Sequence, residues 1–158
     1  MTHPFNFPPI VEAITPQAGA AITGDYISLK NVHKLRVVVH INQANAAQVA
    51  ITIEQATAVA GTGHVPITVA VPIYVCESAA ASDAFVREAA DAVAYTTTVG
   101  TTHKIVVFEI DPATLNVAGG FDCITVITAA SNAGNITSAF YELVQRYQQA
   151  TPPSAILD

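Results

Sequence analysis

The residue types of a nucleophilic catalytic site occur together in the segment VAGGFDCITVITAAS, where Asp122 stands next to Cys123 and His103 lies upstream. A histidine and a carboxylate near a cysteine can activate its thiol as a nucleophile. A reactive thiol, however, needs an electropositive and partly exposed environment. Cys123 instead begins an apolar run beside an acidic residue, so we interpret it, like Cys76, as a small buried hydrophobic residue. We expect no catalytic residue here.

Metal binding is not indicated by the spacing of potential ligands. No histidine pairs with a cysteine, an acidic residue or another histidine at a standard ligand spacing, and no HExxH, CxxC or calcium-loop pattern occurs. Two cysteines suit a reducing compartment, which favours free thiols over a disulfide between them. We expect no metal at the five histidines, which are His3, His33, His40, His64 and His103.

Other catalytic patterns are also missing from the sequence. There is no GxSxG nucleophile motif, and the GTG at 61–63 lacks the lysine and the helix of a phosphate-binding loop. Carboxylates such as Glu54, Glu109 and Asp122 could serve a glycosidase in pairs, but such pairs arise by chance in β-proteins. We therefore expect neither enzymatic activity nor a cofactor.

The composition indicates one domain with an unusually uncharged surface. The chain has 158 residues, of which 51% are hydrophobic and 11% charged, whereas about 25% is usual. Much of the outside must be covered by uncharged polar side chains or by partners. The net charge is −6 and the six basic residues are scattered along the sequence, which argues against nucleic-acid binding. No apolar run is long enough to span a membrane, and the first residues do not resemble a secretion signal.

Period-two alternation of apolar residues predicts strands through the centre of the chain. Gly61, Gly63 and Gly100 mark turns between them. DPATLN predicts a turn or a single helical turn capped by Asp111, and Gly119 and Gly120 release the next strand. The strand-like runs are KLRVVVHIN, VAITIEQAT, VPITVAVPIYV, HKIVVFEI and CITVIT.

These runs predict an all-β, single-domain antiparallel β-sandwich that is jelly-roll-like. Pro66 and Pro72 in the third run indicate an edge position or a bulge. CITVIT is apolar on both faces, which predicts a central strand. TSAFYELVQRY has both helical and alternating spacing, and we favour a strand. Residues 82–92 fit a short helix or a strand, and both alternatives stay open.

Both ends of the chain carry prolines, and we predict that they are extended arms around a sandwich domain at 24–149. The N-terminal arm covers 1–23 and the C-terminal tail covers 150–158. Such segments do not fold alone, so they either contact neighbouring molecules or remain disordered. The predicted partner-contact residues are Phe5, Phe7, Pro8, Pro9, Ile10, Pro152, Pro153, Ile156 and Leu157.

Several blocks in order, from about Gly24 to the C-terminus, resemble the head decoration, or cement, proteins of tailed bacteriophages. The blocks are GDYISLKNVHKLRVVVHI, VAITIEQATAVAGTG, DPATLNVAGGFDCITVITAAS and RYQQATPPSAILD. The resemblance implies a β-sandwich or jelly roll that binds across junctions between major capsid protein subunits. It also implies a location on the capsid surface of the virion, after synthesis in the bacterial cytoplasm.

The resemblance and the low charge together lead us to expect contacts with the major capsid protein and self-association as a dimer or trimer on the shell. We expect no contact with nucleic acid or membrane. Two alternatives stay open. One is another virion part, such as a tail or head-completion protein. The other is a carbohydrate-binding sandwich, which an exposed cluster of Tyr26, Tyr74, Tyr95 and Tyr141 would favour.

Overall fold

The alternating runs form strands in the computed structural model, which describes residues 8–147 and 154–157. Inward side chains of the long strands are Val, Ile, Leu and Phe, while the outward positions are more polar. The strands are β1 (Ile10–Ala18), β2 (Ile22–Thr23), β3 (Ile27–Ser28), β4 (Val32–Gln43), β5 (Ala50–Ala56), β6 (Val65–Pro66), β7 (Ile73–Cys76), β8 (Val86–Arg87), β9 (Ala94–Thr96), β10 (His103–Ile110), β11 (Cys123–Thr128) and β12 (Asn135–Gln145).

The strands form two antiparallel sheets that pack as a sandwich. The large sheet has the order β1-β12-β4-β10-β7-β8, and the small sheet has the order β2-β11-β5-β6, with β3 also on β11 and β9 also on β5. Strands of the first half pair with strands of the second half in reverse order: β1 with β12, β3 with β11, β4 with β10 and β5 with β9. This nested pairing is that of a jelly roll, and it confirms the predicted fold class.

The core lies between the sheets and contains one polar bridge across it. Tyr141 of β12 is fully buried, and its hydroxyl accepts a hydrogen bond from the Val126 amide of β11 at 3.1 Å. The same hydroxyl donates to the Asp25 carbonyl at 2.9 Å. Burial raises the pKa of Tyr141. Because both of its hydrogen-bonding roles are satisfied, the hydroxyl fixes how the two sheets sit on each other.

The strand that carries Cys123 is central, as predicted. β11 pairs with β5 on one side and with β2 and β3 on the other, and Cys123 to Val126 are all buried. A 3-10 helix at Val117–Gly119 precedes it and ends at Gly120, whose φ of 82° is a left-handed conformation that glycine accepts readily.

Three local predictions can be compared directly with the structure. DPATLN forms a 3-10 helix at Pro112–Thr114, and the Asp111 carboxylate accepts the Ala113 amide hydrogen at 3.0 Å. TSAFYELVQRY lies largely within β12, so the strand interpretation is confirmed. Residues 82–92 contain no helix, because β8 pairs with β7 and holds the segment extended.

The predicted N-terminal arm at 1–23 requires a correction. Residues 10–18 form β1, which pairs with β12 at the edge of the large sheet, and β2 pairs with β11. Ala13 and Ile14 are both buried, so a bulge interrupts the period of two and conceals the strand in the sequence. The sandwich therefore begins at Ile10, and residues 1–7 lie outside the described part.

The run VPITVAVPIYV also differs from a single strand. Its first part is β6 in the small sheet and its second part is β7 in the large sheet. Pro66 and Pro72 bound the crossing between the sheets, because proline cannot donate to a sheet ladder. Ile67 and Val71 are buried at this crossing, whereas Val69 is 45% exposed.

One end of the sandwich, where β4 and β7 end and β10 begins, is closed by buried polar groups. Lys104 is 2% exposed, and its ammonium binds the Glu77 carboxylate and the Thr98 hydroxyl. The Tyr95 hydroxyl also donates to Glu77, at 3.0 Å. Burial of the carboxylate acts to raise the pKa of Glu77, but hydrogen bonds from Lys104, Thr98 and Tyr95 outweigh it and lower that pKa.

Amide side chains complete this closure. The Asn135 carboxamide accepts the Asn45 amide hydrogen and donates to the Ala47 carbonyl, each at 2.8 Å. Gln43 donates to the Thr98 carbonyl at 3.0 Å and accepts the Thr97 hydroxyl at 2.8 Å. Gln43, Thr97 and Asn135 are at most 1% exposed. We call this region the polar end.

Candidate functional site

Of the residues that suggested a nucleophilic site, Asp122 and Cys123 are in contact, but His103 lies apart from them. Cys123 is fully buried in the small sheet, and its thiol donates to the Asp122 carboxylate at 3.3 Å. Asp122 also lies 3.5 Å from the Lys30 ammonium. His103 lies at the start of β10 in the large sheet. Cys76 is also buried, and the two cysteines are not joined in a disulfide.

His103 instead forms a pair with His40 on the outer face of the large sheet. Their ring centroids are 6.0 Å apart. Burial and the neighbouring His103 lower the pKa of His40. Two imidazoles supply only two of the four ligands that a zinc ion takes. Within residues 8–147 and 154–157, no group of three or more His, Cys, Asp or Glu side chains is placed to hold a metal ion.

A second histidine contact lies on the outside of the small sheet. The Nδ1 atom of His64 is 2.6 Å from the Glu54 carboxylate, and the Tyr26 ring centroid lies 6.4 Å from that of His64. Burial and the charge of Glu54 raise the pKa of Tyr26. The carboxylate orients the imidazole, but the two groups bind each other and Tyr26 stays protonated at neutral pH. This arrangement joins the turn at 61–64 to the sheet.

The tyrosines do not form the aromatic cluster that a carbohydrate-binding surface would need. Tyr141 is in the core, Tyr26 lies beside the small sheet near His64, and Tyr95 is bonded to Glu77 at the polar end. Tyr74 lies on the large sheet, where it pairs with Val107. The four residues therefore do not form one exposed cluster.

The described members of the predicted contact set converge at the end opposite the polar end. There β1 and β4 begin and β12 ends. Leu143 donates to the Pro9 carbonyl at 2.9 Å, and Ser28 donates to the Ala155 carbonyl at 2.7 Å. A cavity of about 240 Å³ is lined by residues of both chain ends, including Pro9 and Ile156. We call this region the terminal end.

The terminal end exposes a group of large apolar side chains. Pro8 and Pro9 are half-buried, and Ala155 packs against the core. Four predicted contact residues, Phe5, Phe7, Pro152 and Pro153, lie outside the described residues. The exposed side chains, which we call the terminal patch, are Ile10 (53%), Val144 (49%), Tyr147 (69%), Ile156 (50%) and Leu157 (69%).

Basic residues that are scattered in the sequence also meet at the terminal end. Arg146 donates to the carbonyls of Asn31 and Val32, which places it beside Lys30 and Lys34. The Lys30 ammonium is near Asp122. Folding brings Arg146, which follows β12, to the segment around the start of β4 that contains Lys30 and Lys34.

The outer face of the large sheet is the second exposed surface. Arg36 lies on it between Glu109 and Glu142, at 3.0 and 3.6 Å. Beside this ion pair is a shallow groove of about 530 Å³, whose lining is mostly apolar and includes Val38, Tyr74 and Phe85. Phe140 and Ile136 of β12 are 38% and 42% exposed on the same face. Apolar side chains in this number on an outward face are typical of an interaction surface.

Within the described part of the chain, no helix has both the length and the apolar character needed to cross a membrane.

Comparison with known proteins returns one structural likeness. No protein-family model and no curated protein sequence matches the chain. Among solved structures, the SPBc2 prophage-derived protein YomS is similar with a TM-score of 0.46 and 10% sequence identity, over 90% of this chain and 100% of that chain. A likeness of this degree carries no argument about function.

Proposed function

We propose that this chain is a structural protein of a tailed-bacteriophage virion, which decorates the capsid and stabilises it by bridging major capsid protein subunits. The observation that carries the proposal is the convergence of the two chain ends. Pro9 and Ile156, which come from opposite ends of the sequence, line one cavity at the terminal end. The proposed partner, the major capsid protein, is inferred from the sequence blocks that resemble decoration proteins.

The terminal end is suited to a bridging contact. Its patch combines exposed Ile, Val, Leu and Tyr side chains with nearby basic residues, a composition close to that of an apolar interface core with a polar rim. Burial of one such side chain stabilises an interface by about 1.5–3 kcal/mol. Repetition of a modest contact over many identical sites on a shell multiplies its effect.

The proposal assigns the chain no enzymatic activity. The buried position of Cys123 and its acidic neighbour support this part of the proposal. The low charge of the chain also suits a protein that is held between other proteins.

The test uses heads of the phage that carries this chain, assembled without it, to which the purified chain is added back. We expect binding in hundreds of copies per head and a rise in the temperature or pressure at which heads rupture. The double variant Ile156→Ser/Leu157→Ser should bind about tenfold or more weakly, because two apolar contacts are lost.

The matched control is Val99→Ser. Val99 is 70% exposed, close to the 69% of Leu157, but it lies at the polar end. Circular dichroism and thermal unfolding confirm that each variant is folded. Binding in about a dozen copies would place the chain in a neck or tail instead, and equal occupancy for both variants would contradict contact through the terminal end.

A further inference from the structure

The large sheet carries a row of outward side chains whose four central positions are symmetric in type and whose two ends carry opposite charges. The register of the strands aligns Glu12 with Phe140, Phe140 with Val38, Val38 with Val107, Val107 with Tyr74, and Tyr74 with Arg87. From β1 to β8 the row is therefore acid, aromatic, valine, valine, aromatic, base. Its midpoint lies between β4 and β10.

We propose that two copies of this chain pack through the outer faces of their large sheets, around a two-fold axis that runs along the strands between β4 and β10. A two-fold axis in this place sets each residue of the row against its mirror position in the second copy. Val38 meets Val107, Phe140 meets Tyr74, and Glu12 meets Arg87. Each of these three contacts occurs twice in the dimer.

The neighbouring row is complementary at its central pair. Arg36 pairs in register with Glu109, so the axis also brings Arg36 of one copy opposite Glu109 of the other. Opposite charges therefore meet at the rim and in this second row, while apolar side chains meet in the middle. This charge complementarity favours a second copy of the chain as the occupant of the face.

The size of the face is also sufficient. Six strands at about 4.8 Å spacing span about 24 Å, and nine residues of β4 span about 30 Å, which gives a face of about 700 Å². Stable interfaces bury about 600–1,000 Å² on each partner. Two twisted sheets pack face to face at about 10 Å with strands within about 30° of each other, so the outward side chains of both copies can interdigitate.

The dimer is independent of the capsid proposal, because it is measured on the purified chain without heads. Sedimentation velocity of the full chain over a range of concentrations should show a monomer–dimer equilibrium. Val38→Glu should weaken the dimer by about tenfold or more, because it places a carboxylate against an apolar partner twice. Thr62→Glu, at an exposed position in a turn of the small sheet, is the matched control and should leave the equilibrium unchanged.

A charge exchange tests the position of the axis. Within one copy Arg87 is bonded to Asp91 at 2.6 Å. Glu12 lies five strand intervals from Arg87, about 24 Å, so Glu12 and Arg87 have no direct contact. Glu12→Arg and Arg87→Glu should each weaken the dimer by about tenfold, since two rim pairs become repulsive. The double variant Glu12→Arg/Arg87→Glu should return to within about threefold of the original constant.

A monomer at all concentrations, a trimer, or a dimer that Val38→Glu leaves intact would overturn the proposal. Failure of the double variant to recover, when each single variant is folded by circular dichroism, would overturn it as well. A monomeric chain whose Val38→Glu variant loses binding to heads would assign the face to the capsid and exclude the dimer. Loss of head binding in the terminal-patch variant alone leaves the dimer equilibrium unaffected.

Discussion

The two ends of the sandwich differ in the exposure of their polar and apolar side chains. At the polar end, Lys104, Gln43 and Asn135 are withdrawn from solvent and each has protein hydrogen-bond partners. At the terminal end, Tyr147 and Leu157 are each 69% exposed. The buried polar groups close the gap between the two sheets at the polar end, whereas the terminal end leaves apolar side chains exposed.

This difference suggests that the polar end stabilises the fold and that the terminal end contacts a partner. A buried ammonium or carboxamide is costly unless its partners are in place, so the groups of the polar end must act together to hold their loops. Exposed apolar side chains stabilise the free chain little, but they stabilise a complex in which they are buried. Substitutions at the two ends should therefore act on different measurements.

The largest effect on stability is expected for Lys104→Ala. The substitution removes a buried alkyl chain and the ammonium partner of Glu77. The free energy of unfolding should fall by about 3 kcal/mol in urea, most of it from the lost apolar burial. Lys34→Ala, at an exposed position of β4, is the control and should change it by less than about 0.5 kcal/mol. Equal losses of unfolding free energy for both variants would contradict a structural role for the polar end.

Asn135→Ala should have the next largest effect. It leaves the Asn45 amide and the Ala47 carbonyl without their partner, which should cost about 2 kcal/mol. Asn132→Ala, at an exposed turn position nearby, is a suitable comparison. The prediction fails if both variants unfold at the same urea concentration.

Acid should weaken the polar end by a smaller amount. The pKa of Glu77 is lower in the folded chain than its ordinary value of 4.5, so its contribution is present at neutral pH and is lost as the pH falls below about 5. The contribution should be less than about 1 kcal/mol, because the side chain is 40% exposed. Glu77→Gln should reduce the slope of stability against pH between about 5 and 3, whereas an unchanged slope would assign the acid sensitivity to other carboxylates.

The smallest effect on stability is expected at the terminal end. Leu157→Ser should change the free energy of unfolding by less than about 0.5 kcal/mol, although it should weaken binding to heads. Val99→Ser should change neither quantity. A loss of more than about 1 kcal/mol for Leu157→Ser would show that the terminal patch belongs to the fold, and the contrast between the two ends would disappear.

Much of the sandwich could be predicted because alternation reports which face of a strand is buried. β4, β5 and β10 follow this rule, whereas β11 is buried on both faces and was predicted from its continuous apolar run. β1 escaped prediction, because the bulge near Ala13 places two consecutive residues inside and the flanking prolines suggested an arm. The pairing of β1 with β12 joins distant parts of the sequence, and no local pattern indicates it.

The candidate surfaces were predictable only in part. Prolines and apolar residues marked both chain ends, but their meeting at one cavity depends on the nested pairing of the jelly roll. One sequence feature could have indicated the polar end. In HKIVVFEI, Lys104 falls on the same buried face of the strand as Val106 and Phe108, so a buried cation with a partner could have been inferred. The row from Glu12 to Arg87 depends on strand register across six strands.

The position of Pro9 and Ile156 at the terminal end determines where a peptide can be attached to the chain without blocking the contact surface. A peptide attached at Pro9 or at Ile156 would start beside the surface proposed for the shell, where it would compete with the contact. A circular permutant that joins the segments of Pro9 and Ile156 by a linker and opens the chain near Gly100, a residue with open space around its Cβ position, would move the attachment point to the polar end. Such a permutant would display the attached peptide away from the contact surface.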